Sequence, residues 1–215
     1  ALNSGGDGIA LLLFVYQGQK FVEAVSNVLT RDDLVQSHRW AVFESSVGML
    51  AAGFAAVQGL SVTILQAHIE QMDSAAGKLN TMSRLGRWAG IAGDAAFIFG
   101  GLAAAIDLGK HSQQWGKALG EGDPQAMAAT TLQIAGDGIL VGTNTWGAKH
   151  TTSIISQILK KPAELRALAW AEASPRLLSI AARANLVGLI GTALQLVGEG
   201  LYNYFNLDAL QKWLQ

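Results

Sequence analysis

The chain has 215 residues, of which 50% are hydrophobic and 14% charged, with a net charge of −1 and no cysteine. Near-neutral charge without an Arg/Lys cluster interleaved with aromatics argues against nucleic-acid binding, and the missing Cys excludes disulfides, thiolate catalysis and sulfur-ligated zinc. The charged fraction is well below the ~25% of ordinary soluble domains, and mean hydropathy is +0.28, so little polar surface is available to cover a chain long enough to build a sizeable core.

Almost every stretch reads helical, with no sustained alternation that would signal strands. A first helix is predicted from Gly8 to about Leu29, with Phe21, Val25, Val28 and Leu29 on one face. Its apolar start lacks a positively charged leader and is not read as a signal peptide. The missing initial Met suits an excised piece of a longer protein. Thr30 and Asp32 can cap a second helix that continues through Ser45–Ile69, a segment without Asp, Glu, Lys or Arg. That segment can cross a bilayer by length. Its strong apolar residues, among them Val47, Leu50, Phe54, Val57, Leu60, Ile64 and Leu65, sum to roughly −3 to −5 kcal/mol of insertion free energy. Gln58, Gln66, His68 and the serines oppose that sum.

A polar interval from Glu70 to Arg87, holding Lys78 and Arg84, is read as the connector of a helical hairpin whose second arm is Trp88–Gly109. This arm carries Phe97, Phe99, Leu102 and Ile106, and contains Asp94 and Asp107. After a polar turn at Gly120–Pro124, with Asp123 as N-cap and Pro124 at the first helical position, a third apolar stretch runs from Ala126 to Ala148. Pro162 and Pro175 are expected to open further helices. The last apolar run, Leu177–Leu201, includes Leu186, Leu189 and Leu194 and has Arg183 and Glu199 as its charges; a short amphipathic segment, Asp208–Leu214, follows.

Small residues at four-residue spacing, Ala92, Ala96, Gly100 and Ala104 in one stretch and Ala51, Ala55 and Gly59 in another, give faces on which helix backbones can approach closely, in lipid or in a tight soluble bundle. Ile91-Ala-Gly-Asp94 recurs as Ile134-Ala-Gly-Asp137, an echo that suits a duplicated helical unit or a chance match in an Ala/Gly-rich chain. Gly136-Asp-Gly-Ile-Leu-Val-Gly142 lacks the preceding strand that a dinucleotide loop requires. The four histidines are scattered, with no metal-ligand spacing. His68, Asp94 and Asp107 are the candidate pH-sensing groups, with Asp137 a further ionisable residue in an apolar setting; capping or pairing is the plainer role for each. No nucleophile elbow or carboxylate pair supports catalysis. Trp40, Trp88 and Trp146 fall at ends of apolar segments, where indoles favour the headgroup level, though they also serve as core filling.

The stretch Ala92–Lys110, the Gly122-Asp-Pro124 turn and the ending Leu194–Phe205 before Ala209–Trp213 resemble the hydrophobic helical region of VasX-type effectors of bacterial type VI secretion. The resemblance implies colicin-like action: insertion into a bacterial inner membrane, dissipation of the proton-motive force, and neutralisation by a dedicated immunity protein. It implies delivery through a secretion spike or chaperone acting on regions outside this chain, and it supplies no active-site residues; no cofactor or metal is expected from the residues themselves. The chain is therefore expected to be one all-α domain over 1–215, a bundle of eight to ten helices with a buried hydrophobic hairpin. It would be soluble before delivery and would reside in the target membrane afterwards. Its membrane-inserting residues would be Val47, Leu50, Phe54, Val57, Leu60, Ile64, Leu65, Phe97, Phe99, Leu102, Ile106, Leu186, Leu189 and Leu194. The alternative is a non-toxic helical scaffold or partner-binding module.

Overall fold

A computed structural model describes residues 42–43, 45–51, 53–54 and 74–205. Among these residues the protein is all-α, with no strand. Three long helices account for most of them: α1 (Ala75–Glu121), α2 (Pro124–Leu159) and α3 (Ala163–Phe205). The described residues at 42–54 are also helical. Two of the helices, α1 and α3, are long and apolar enough to cross a membrane.

The helix ends follow the local sequence. Ser74 caps α1, its Oγ accepting the Gly77 N–H at 3.1 Å. At the other end Gly122 takes φ +68°, open to glycine without strain. It closes a Schellman turn in which the Gly122 N–H bonds the Leu119 carbonyl and the Asp123 N–H the Ala118 carbonyl. Asp123 then caps α2 as expected, its Oδ1 accepting the N–H groups of Gln125 and Ala126, both at 3.0 Å. Between α2 and α3, Arg166 reaches back to the carbonyls of Leu159 and Lys161 and satisfies acceptors the helix end leaves open.

Two expectations are corrected. Residues 75–87, read as part of a connector, form the first turns of α1, because they hold good helix formers and no proline. Pro175 does not open a helix but lies inside α3. A proline there removes the N–H that would bond the carbonyl four residues earlier. Ser174 Oγ donates to that same Ala171 carbonyl at 2.9 Å, so the missing bond is replaced by a buried side chain. With these breaks gone, few long helices stand where many short ones were expected.

The chain divides into two compact units. The first takes α1 up to Ala103, α2 from Asn144 and α3 up to Asn185, together with the described residues at 42–54; the second takes Ala104–Thr143 and the rest of α3 from Leu186. In the first unit an apolar cluster of Ile158, Ala169, Trp170, Ala173 and Leu177 is buried, with Ile154 and Ile155 packed against it. Burial of a Trp removes ~150–250 Å² from water, worth roughly 4–6 kcal/mol. Glycine makes room for it: a Cβ at Gly90 would lie 2.9 Å from the Trp170 ring, and one at Gly86 would overlap the Trp170 carbonyl oxygen. Likewise a Cβ at Gly147 would meet the Phe97 ring at 2.7 Å.

The second unit is built differently. Among its described residues every buried apolar side chain is an alanine: Ala104, Ala118, Ala126 and Ala129. The larger buried side chains there are Thr130, Gln133 and Asp137, all polar. The helices meet backbone to backbone, since a Cβ at Gly136 would stand 2.5 Å from the Gly191 carbonyl oxygen and one at Gly198 2.7 Å from that of Ala129.

Candidate functional site

The second unit holds a buried polar cluster drawn from all three helices. Asp137 on α2 is fully buried, at 0% exposure. His111 Nδ1 on α1 donates to its Oδ2 at 2.6 Å, and Gln195 Nε2 on α3 donates to its Oδ1. An unpaired carboxylate in such a place would cost several kcal/mol in desolvation, so two donors converging on it are what make the burial possible. His111 is 19% exposed and forms the outer end of the pair. One turn before Asp137, Gln133 is buried as well, and its Oε1 has no hydrogen-bond partner; the buried Oε1 of Gln114 on α1 also lacks one. Around the cluster, Thr130 and Thr131 return their hydroxyls to carbonyls of their own helix, and Trp115 Nε1 donates to Thr131 Oγ1 at 3.2 Å.

The outer face of α3 in this unit is apolar. On α3, Leu186, Leu189, Ile190, Val197, Leu201 and Tyr204 are exposed and separated by three, four or seven residues from a neighbour in the set, which places them on one face. Leu186 and Leu196 reach 63% exposure. The opposite face of α3 carries Gly191, Gln195 and Gly198. Large apolar groups outside and small or polar groups inside is the reverse of a water-soluble bundle. It is the arrangement expected of helices in hydrocarbon, where association rests on close packing and hydrogen bonds.

The echo of Ile-Ala-Gly-Asp has a structural counterpart. Asp94 Oδ1 in the first unit accepts a hydrogen bond from Thr152 Oγ1 at 2.7 Å, and the residues are 58 positions apart. Asp137 and Gln195 in the second unit are also 58 apart. Each motif's aspartate thus bonds a residue of the following helix at the same chain separation. Their environments differ, with Asp137 buried and the Asp94–Thr152 bond exposed.

The residues expected to enter a membrane divide by burial. Val47 and Phe97 are buried; Phe54, Phe99, Ile106 and Leu194 are half-buried, with the Phe54 and Phe99 rings stacked 5.8 Å apart; Leu50, Leu102, Leu186 and Leu189 are exposed. Val57, Leu60, Ile64, Leu65 and the candidate pH-sensing His68 lie outside the described residues. In the Trp88–Gly109 arm, the buried side holds Phe97 and otherwise small residues, Ala89, Ala92, Ala96 and Ala104, whereas Trp88, Ile91, Ile98 and Leu102 are exposed. The burial expected of this hairpin arm is thus mainly the burial of its alanines and Phe97; much of its remaining bulk faces outward because Ala and Gly are what let α1 approach its neighbours. Asp107 is half-buried one turn before His111.

His111, Gln133 and Gln195 were not singled out by sequence. The signal that could have found them is polarity at three- and four-residue spacing inside apolar runs: Gln133 and Asp137 on α2, and Gln195 between apolar neighbours on α3. Among the described residues no group of three His, Asp or Glu side chains could hold a metal ion. No protein family, curated protein or solved structure matches the chain.

Proposed function

We propose that this chain is a pore-forming toxin domain that lodges its long helices in the inner membrane of a target bacterium and makes it permeable to ions, collapsing the membrane potential. The reading is carried by the second unit, in which α3 turns a face of large apolar residues outward while Asp137, His111, Gln195 and Gln133 are gathered inside. Exposed apolar residues of α3 alone would contribute roughly −0.3 to −0.6 kcal/mol each at the centre of a bilayer. That gain opposes the ~2.5–3.5 kcal/mol cost of a charged Asp at the same depth, which two donors already offset. Ionisable groups inside a membrane bundle are kept for the passage of ions or protons.

The lipid bilayer is the partner this reading requires. Delivery by type VI secretion and neutralisation by an immunity protein complete it in the setting that the resemblance to VasX-type effectors implies. Purified chain added to anionic vesicles with an imposed potassium diffusion potential should collapse the potential, as read by a voltage-sensitive dye. Expression directed to the periplasm of a test bacterium should depolarise it and stop growth. Vesicles that keep their potential at neutral and acidic pH alike would sink the reading.

A further inference from the structure

The polar interior of the second unit is closed. Gly136 and Gly191, and Gly198 and Ala129, bring the backbones so near that a methyl group would not fit between them. Asp137 and Thr130 have no exposed surface. A hydrated metal ion needs a lumen that these contacts do not leave, whereas a proton needs only a chain of groups that can bind and release it. Resting on the ion-permeable reading above, we propose that the ion carried is the proton, passed between His111 and Asp137 through this closed interior. His111, partly exposed, is the entry, and Asp137, 2.6 Å away and fully buried, is the inner stop. Gln195 on α3 presents a neutral amide to the carboxylate and holds it in place.

The transfer balances without any other reactant. The imidazolium gives its Nδ1 proton to Asp137 Oδ2; the N–H bond breaks with its electron pair left on the ring, and an O–H bond forms. The neutral ring turns over, presenting its remaining N–H to the carboxyl group and its free nitrogen outward, where it takes up the next proton. Asp137 then releases its proton to a water in the same interior. The unpartnered Oε1 atoms of Gln133 and Gln114 are acceptors for such a water. Leaving each unbonded in a buried place costs ~1–3 kcal/mol, so a water there is favoured.

The test uses the full chain in vesicles carrying an internal pH dye in one preparation and a potassium dye in another. The wild-type chain should acidify or alkalise the lumen along an imposed gradient while potassium moves at least about tenfold more slowly. Asp137→Asn, which keeps the shape but cannot ionise, should lower proton flux at least about tenfold, and His111→Gln severalfold. Helical circular dichroism identifies a variant that fails to fold; if Asp137→Asn does so, His111→Gln decides. Potassium moving as fast as protons, or proton flux unchanged in the folded variants, would overturn the relay while leaving a permeable chain. No flux of either ion would instead overturn the function itself.

Discussion

The two units solve the same packing problem with opposite materials. The first buries Trp170, Leu177 and Ile158 in a cluster that glycines at 86 and 90 are shaped to admit, so its cohesion comes largely from removing apolar surface from water. The second buries alanines, a carboxylate and amides, and its cohesion comes from backbone contact at Gly136, Gly191 and Gly198 and from hydrogen bonds to Asp137. A force that depends on water vanishes in hydrocarbon, whereas close contact and hydrogen bonds do not. The same three helices thus supply one interior that rests largely on apolar burial and one that rests on close contact and hydrogen bonds.

Substitutions can break this contrast. Trp170→Ala should destabilise the chain in water by about 3–5 kcal/mol, as large-to-small core changes do, and by clearly less in detergent micelles, both read by urea unfolding followed by circular dichroism. Asp137→Ala should cost about 3–5 kcal/mol in either medium, because it strands His111 and Gln195 in a buried place. Replacing all three by Leu should by contrast be neutral or stabilising by up to about 4 kcal/mol, while abolishing ion passage. A Trp170 effect that is equal in both media would erase the distinction between the units.

Smaller effects sharpen it. Ser174→Ala should cost about 1–3 kcal/mol, since it leaves the Ala171 carbonyl buried and unbonded next to Pro175. Thr152→Val should cost less than about 1 kcal/mol, because its bond to Asp94 is exposed and water can replace it. A cost at Thr152 as large as that at Asp137 would mean that the two echoed motifs play the same part, against the difference in their burial.

Much of the fold could be read from the residues. The all-α class, the Asp123–Pro124 helix start and the close-packing role of Ala92, Ala96 and Ala104 follow from local chemistry, which acts over a few residues. Helix number was less legible. Pro175 looks like a start in isolation, and its continuation depends on a neighbouring hydroxyl that happens to supply the lost bond. The site was legible in one part of three. Asp137 was conspicuous as a carboxylate among apolar neighbours, but His111 and Gln195 are 26 and 58 residues away from it, and pairing at that separation is set by the register of long helices. Which side of an apolar helix faces inward was hidden for a related reason: composition tells how much is apolar, and only packing tells whether bulk or smallness is buried.

The most direct test of the account is where the outer face of α3 resides. The chain has no cysteine, so Leu186→Cys and Leu196→Cys each offer a single site for an environment-sensitive fluorophore. With anionic vesicles, the account predicts blue-shifted emission, quenching by lipids labelled on their acyl chains, and protection from aqueous iodide. Emission that stays water-like and is quenched by iodide at both positions would contradict it.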